Sequence, residues 1–403
     1  MRRLLLIYAA LILALALAGC GGSGGSEGED VTARASNAGL VDWPYFGRVP
    51  ERTHYLPAEK GLLDPPLKQI WQINTHALIE FPPAIAAGVA YVINKYGNVK
   101  AVRLADRKIL WEVKNRASDK GVPNFVTAPV YYDGRIYGAF LGGEVVAGDA
   151  RDGHTLWRRK LPGHLESSPM AADGTLYLGT DTTNVVALDA DDGSTRWQTN
   201  LPAAIKASPS FHDGRLYVAD YQSSMFALDA ASGKPLWRTN TSQQPPYGKG
   251  GFFSSPAVGF GRVYAARDDG TVFALNEKTG KVEWSFDTGG AVYGSPALAA
   301  VPGTPPTVYI GAENGRFYAL DAVTGKPRWH YDVGGAVPGT ATVIGHTVYT
   351  SSFKTGHTIG LDAVTHRKTF DLGQAGYTPV VSDGEKLYLV GYYVVVGLEP
   401  TGR

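Results

Sequence analysis

The chain has 403 residues, with 38 Lys plus Arg against 37 Asp plus Glu and a formal net charge of +1. It has no basic run long enough to track a phosphate backbone, which speaks against nucleic acid as a partner. Fifty glycines and 22 tyrosines beside three methionines suit short strands and tight turns and argue against packed helices.

Taken in chain order, Arg2 and Arg3 precede an apolar stretch, residues 4–18, with the layout of a signal peptide. Its fifteen residues fall short of the roughly 20 that a helix needs to span a bilayer. The stretch closes on Leu17, Ala18, Gly19 and Cys20, which resembles the lipobox of bacterial lipoproteins. Cys20 is the only cysteine, so no internal disulfide can form. Residues 1–19 are therefore expected to be removed and Cys20 to carry the lipid, palmitate included, that anchors the protein. Residues 20–40 continue from the cysteine with GGSGGSEGED, too polar and flexible to fold, and read as a tether. Residues 41–66 are expected to be an extension packing on the domain that follows.

From residue 67 the sequence repeats. VVALDADDGSTRW (185–197) returns as MFALDAASGKPLW (225–237), VFALNEKTGKVEW (272–284) and FYALDAVTGKPRW (317–329), and in worn form as VVAGDARDGHTLW (145–157) and VKAVRLADRKILW (99–111). Tryptophans stand at 71, 111, 157, 197, 237, 284 and 329, with Phe370 in the next place and only Trp43 outside the series. Each interval runs in one order: a small-residue segment with Pro (SSPMAADG, 167–174), a strand TLYLGT (175–180), a strand VVALDA (185–190), then the Trp strand. Alternation at period two with Gly at the turns predicts four strands per unit. Asp189, Asp229 and Asp321 are placed to accept hydrogen bonds from turn amides, and Gly193, Gly233, Gly280 and Gly325 to take positive φ. The recurring Trp needs a neighbouring sheet to cover its apolar face.

The C-terminal tail, with YTPVVSDG (377–384), EKLYLVGY and VVVGLEPTGR, ends one strand short of a unit, while PLKQIWQIN (66–74) is a Trp strand lacking the three before it. Together they complete one unit. The predicted fold is all-β: an eight-bladed β-propeller of four-stranded antiparallel blades over residues 67–403, closed by the N-terminal strand, with about 42 residues per blade.

The ALDAxTGKxxW turns and SSP segments resemble the quinoprotein, or PQQ-type, repeat. Compact blades behind a lipobox are most similar to the barrel-assembly lipoproteins of the outer membrane. The resemblance spans residues 41–403 and implies the eight-bladed fold, whereas function has to be argued from sites. Three readings follow: a non-enzymatic scaffold for protein–protein interaction, serving outer-membrane protein assembly as the resemblance implies; a ligand-binding or sensor propeller holding a small molecule or glycan in its central funnel; and a PQQ-dependent dehydrogenase. The resemblance to the enzymes implies a quinone covered in many members by a disulfide between adjacent cysteines, stacked on a Trp, beside a calcium ion held by carboxylate and amide oxygens. Cys20 stands alone, Trp43 is the one Trp outside the blade positions, and no long insertion roofs a cofactor. The expectation is therefore no cofactor, no metal and no catalytic residue. DADDG (189–193) has the wrong carboxylate spacing for a calcium loop and becomes DAASG and DAVTG in sister blades, so it reads as a turn. The nine histidines are scattered without metal-ligand spacing. SSP at 167–169 and 254–256 reads as the lead-in to a strand.

In this topology the loops leading into the first strand of each blade and those joining the second to the third open on one face of the disc. Three positions before the lead-in Pro, similar blades carry Glu80, Glu166, Lys206, Phe253 and Tyr293, and the second set of loops adds Lys95, Tyr96, Tyr221, Arg267 and Lys354. A purely structural position would vary less, and mixed charge with aromatics is the composition of a protein-recognition surface. These ten residues are the predicted partner-binding face. The protein is expected to be a monomer, exported and anchored through Cys20 on the periplasmic side of a membrane or the outer cell surface, with a protein partner in the cell envelope.

Overall fold

The computed structural model describes residues 40–115 and 127–401; Cys20 and the predicted signal peptide lie outside the described residues. Blade 1 comprises the strands Ala84–Ala86, Val89–Ile93, Val99–Arg103 and Ile109–Val113. Blades 2 to 7 occupy residues 130–160, 170–200, 210–240, 257–287, 297–332 and 342–372. Blade 8 joins Val380–Ser382, Leu387–Val390 and Val394–Pro400 to Leu67–Asn74, which pairs antiparallel with Leu67 opposite Pro400 and Asn74 opposite Val394. First strands of neighbouring blades touch, so they surround the axis and the Trp strands lie outermost. Val380, Leu387, Leu389 and Val396 of blade 8 share a buried cluster with Ile85, Ala90 and Val92 of blade 1. The predicted all-β propeller of eight four-stranded antiparallel blades is the fold observed.

The repeat has a structural cause. In every blade the outer strand shifts register at the residue before its Trp or Phe, a bulge that re-aims the ring toward the next blade. Trp157 Nε1 and the Tyr137 hydroxyl both donate to the Ala190 carbonyl of the following blade at 3.0 Å. Trp197 and Tyr177 converge on the Ala230 carbonyl at 2.9 and 3.2 Å, and Trp284 and Tyr264 on that of Ala322 at 3.0 Å. The motif elements are thus two halves of a joint between blades. Gly233 sits at φ +70°, and a Cβ there would lie 2.5 Å from the Trp197 ring. Asp189 accepts from the Asp191 amide at 2.8 Å, Asp229 from that of Ser232 at 2.8 Å and Asp321 from that of Thr324 at 2.8 Å. The Arg196 guanidinium, with the Asp191 amide, holds the Asp189 carboxyl below its ordinary pKa. The rings of Trp111, Trp157, Trp197, Trp237 and Trp284 all lie over the turn glycine of the next blade, where Trp157 and Trp284 are buried and the other three half-buried.

Residues 41–56 close the axis from one side. The Val41 amide donates to Asp383 O in blade 8, Trp43 bridges to Ile85 in blade 1, and Tyr131 in blade 2 donates to Pro44 O. The Tyr45 hydroxyl reaches Ala171 O in blade 3, and amides of Phe211, Val258, Leu298 and Val343 in blades 4 to 7 donate to Pro50, Glu51, Thr53 and His54. Tyr55–Leu56 then adds a parallel strand to blade 7. The segment thereby pairs backbone groups at the inner edges that a propeller leaves open around its axis. It is held in a constrained path, with Arg48, Arg52 and His54 all at positive φ. Arg52 is fully buried and donates to the carbonyls of Phe46 at 2.5 Å, Pro209 at 2.6 Å and Pro169 at 3.1 Å, tying the segment to blades 3 and 4.

Candidate functional site: the central cavity and its rim

Lead-in loops of all eight blades line a cavity of about 520 Å³, within the range of small-molecule sites. Phe46 of the axial segment contributes to its lining and meets Phe81 edge to face at 5.9 Å. Five of the ten predicted face residues, Glu80, Glu166, Lys206, Phe253 and Tyr293, line it. Repetition explains the convergence: one offset from the first strand brings every blade's side chain to the same distance from the axis.

Around one half of the rim these residues form a continuous cluster. Lys206 Nζ lies 3.1 Å from Glu166 Oε1, 4.9 Å from the Tyr221 ring centre and 5.1 Å from that of Phe253. The Tyr221 and Phe253 rings meet edge to face at 4.9 Å, and Phe253 and Tyr293 do so at 5.7 Å. Gly251 permits this, since a Cβ there would overlap the Tyr221 ring. Tyr293 remains 45% exposed and Tyr221 36%, so the cluster presents aromatic surface to solvent. On blade 1, Lys95 Nζ lies 5.1 Å from the Tyr96 ring centre, and burial raises the Glu80 pKa while the charge of Lys95 opposes the rise. Lys354 is exposed on blade 7, apart from the cluster.

Arg267 is not part of the surface. It is 0% exposed, pairs with Asp269 at 2.5 Å, donates to Gly248 O at 3.0 Å and lies over the Phe273 ring. Its loop position suggested exposure, but the longer connection between blades 4 and 5 folds over it, and Arg267 braces that connection. The offset rule also missed residues. Phe353 meets Tyr377 at 4.6 Å and Tyr392 at 4.9 Å, a second aromatic cluster on blades 7 and 8, because Tyr377 stands two positions before Pro379 instead of three. The cavity wall holds Ser208, Ser255, Ser295, Thr340 and Thr378, the serines and threonines of the lead-in segments that sequence reading treated as strand starts.

A quinone of the PQQ type carries three carboxylates and, in the enzymes, lies against a Trp and a calcium ion. The charged lining here is Glu80, Glu166 and a Lys206 already paired with Glu166, and no Trp or Arg lines the cavity among the described residues. Two carboxylates against one engaged cation do not fit a tricarboxylate. The one described group of acids and histidine with metal-like spacing, Asp149, Asp152 and His154, lies in an outer turn of blade 2, where Asp149 is held by Arg151 at 2.7 Å and Asp152 by His154 at 2.6 Å.

Comparison with known proteins agrees with the fold and divides on function. A 139-residue stretch is 27% identical to the dehydrogenase subunit of the quinone alcohol dehydrogenase of Gluconobacter oxydans, covering 32% of this chain and 18% of that protein. A 124-residue stretch is 28% identical to the outer membrane protein assembly factor BamB of Xanthomonas campestris, covering 28% of this chain and 30% of that protein. The chain thus spans less than a third of the length of these curated relatives. The crystal structure of BamB from Moraxella catarrhalis superposes with a TM-score of 0.66 at 17% identity, over 84% of this chain and 98% of that one, a likeness of fold. The family described as outer membrane protein assembly factor BamB matches residues 65–168, 95–205, 141–285 and 182–393. With its matches running from residue 65 to residue 393, the chain belongs to this family of PQQ-type repeat β-propellers.

Proposed function

We propose that this protein is a non-enzymatic scaffold of the cell envelope that docks another protein against the rim of its central cavity. The observation that carries the reading is the cluster of Lys206, Tyr221, Phe253 and Tyr293, in which a cation is held between aromatic rings that stay open to solvent. Aromatic anchors ringed by polar groups are the composition of interface hot spots. Membership of the assembly-factor family supports a partner among proteins that build the outer membrane, and the lipobox ending at Cys20 supports an anchor that keeps a monomer at the membrane. The similarity to quinone alcohol dehydrogenases favours an enzyme, but the cavity lining lacks a Trp and a free cation for a tricarboxylate quinone.

The test is capture of partners from native membranes by Lys206→Glu, Phe253→Ala, Tyr293→Ala, beside a variant with the opposite-face residues Lys234, Lys281 and Lys326 changed to Glu. The opposite-face changes are solvent-facing and shift stability by only about 0.5 kcal/mol each, whereas Lys206 and Phe253 are half-buried in the cluster, so the melting temperature of the rim variant is measured to show that it is folded before capture is compared. Truncating two aromatic anchors weakens capture well over tenfold, roughly 2 kcal/mol per anchor, while the opposite-face variant captures normally. Equal capture by both variants rejects the rim as the docking surface.

A further inference from the structure

Docking on the rim leaves the interior of the cavity unexplained. Its wall is a belt of hydroxyls in which each blade's lead-in amide donates to the hydroxyl of the next. The Ser168 amide donates to Ser208 Oγ at 2.8 Å, that of Ser208 to Ser255 Oγ at 3.1 Å, that of Ser255 to Ser295 Oγ at 3.0 Å and that of Ser295 to Thr340 Oγ1 at 2.8 Å. A hydroxyl that accepts in this way still has its own proton to donate. Beyond Thr340 the belt breaks, because the Thr340 amide turns to Tyr377 O at 2.7 Å instead of a hydroxyl. Thr378 Oγ1 and, on blade 2, Thr127 Oγ1 are left without any partner, though these residues are only 2% and 4% exposed and both line the cavity. A buried hydroxyl without a partner costs free energy that a bound oxygen atom would recover.

The rest of the lining selects what that oxygen belongs to. Phe81, Tyr293 and Tyr377 supply aromatic surface to the cavity. The carboxylates of Glu80 and Glu166, against the one Lys206, disfavour an anion and offer acceptors for hydroxyl donors. A ligand with hydroxyl groups along its edges, apolar C–H faces and no charge matches all three features. We infer that the central cavity is a carbohydrate-binding site for a neutral mono- or disaccharide, a role beyond protein docking. The belt donates to sugar oxygens, Glu80 accepts from a sugar hydroxyl, and the aromatic rings pack on the sugar's C–H face.

The test uses the full chain in detergent, titrated with glucose, galactose, N-acetylglucosamine and their β-linked disaccharides, binding being read by saturation-transfer NMR and calorimetry. At least one of these saccharides saturates the wild-type protein. Thr127→Val and Thr378→Val keep the shape and break no bond of the folded chain, so the melting temperature holds or rises. Each variant binds the saccharide about fivefold more weakly and the double variant more than tenfold, as expected for lost neutral hydrogen bonds. Capture of the protein partner by the double variant is unchanged, which separates this site from the docking rim. No saturable binding of any saccharide in the panel overturns the inference, as does wild-type affinity in the double variant.

Discussion

Two glycines with the same backbone and different surroundings measure how much the joint between blades contributes. Gly214 has φ +68° with no atom within 4 Å of a built Cβ, whereas at Gly233, with φ +70°, that Cβ would lie 2.5 Å from the Trp197 ring and 2.6 Å from Thr199 Oγ1. Gly214→Ala therefore carries only the strain of a left-handed alanine, about 1 kcal/mol. Gly233→Ala carries the same strain and also displaces the indole. Overpacking of this kind costs about 1–3 kcal/mol, and loss of the Trp197 Nε1 bond to Ala230 O adds about 1 kcal/mol. The expected totals are about 1 and about 3–5 kcal/mol, resolved by urea unfolding followed through circular dichroism and tryptophan fluorescence. In a Trp197→Ala background the clash with the indole is gone and only the crowding against Thr199 Oγ1 stays, so Gly233→Ala should cost less than in the wild-type chain, a non-additivity of about 2 kcal/mol. Equal destabilisation by the two glycine variants, or additivity within about 0.5 kcal/mol in the cycle, refutes the idea that the glycine is required by the neighbouring Trp.

The axial segment gives a pH prediction. His54 is fully buried with neither ring nitrogen bonded, and burial, with the charge of Arg52 second, lowers its pKa from 6.5 to about 3. Its folded pKa lies below the unfolded one, so the unfolded chain binds the extra proton, and stability complete above 6.5 declines as pH falls toward 3. By about pH 5 the loss is about 2 kcal/mol, and His54→Asn, which tolerates the positive φ, should flatten this part of the melting-temperature profile. An unchanged profile in the variant would show that His54 is not the titrating group. Cys20→Ser should move the protein from the membrane to the soluble fraction on fractionation, with the melting temperature of the domain unaltered; continued membrane association would count against the lipid anchor. Deleting residues 41–74 strips both the axial segment and the outer strand of blade 8, and light scattering should show aggregation through the bared edge. A stable monomer would contradict that role.

Repetition made the blades legible. A Trp, a Tyr and an Asp-to-Gly turn recurring at fixed spacing announce a joint between like units, and the hydrogen bonds to Ala190, Ala230 and Ala322 show what is joined. The rim was legible for the same reason, since one offset per blade collected five cavity residues without any structure. Residues 41–56 were legible only as an extension, because they do not repeat and act mainly through backbone groups. Nothing in the identities of Pro50, Glu51 or Thr53 marks their carbonyls as acceptors for blades 4, 5 and 6. Arg267 failed as a surface residue because the covering loop is specific to one connection, which an average over blades cannot reveal.

The serines of the SSP segments show how one residue can satisfy a structural reading and still leave chemistry unaccounted for. Their positions at strand starts explain why they are small, yet alanine is as small, and Ala128 occupies the equivalent place in blade 2. What alanine cannot do is accept the amide of the preceding blade, as Ser168 accepts that of Ala128 at 3.1 Å. The hydroxyl belt therefore holds neighbouring lead-in segments together, and each hydroxyl that accepts in this way keeps its own proton to donate. Here Phe46 lines the cavity, Glu166 pairs with Lys206, and the rings of Phe253 and Tyr293 meet in its lining. Those few positions are ones that the repeat leaves free to vary, and they give the cavity two carboxylates against one engaged cation.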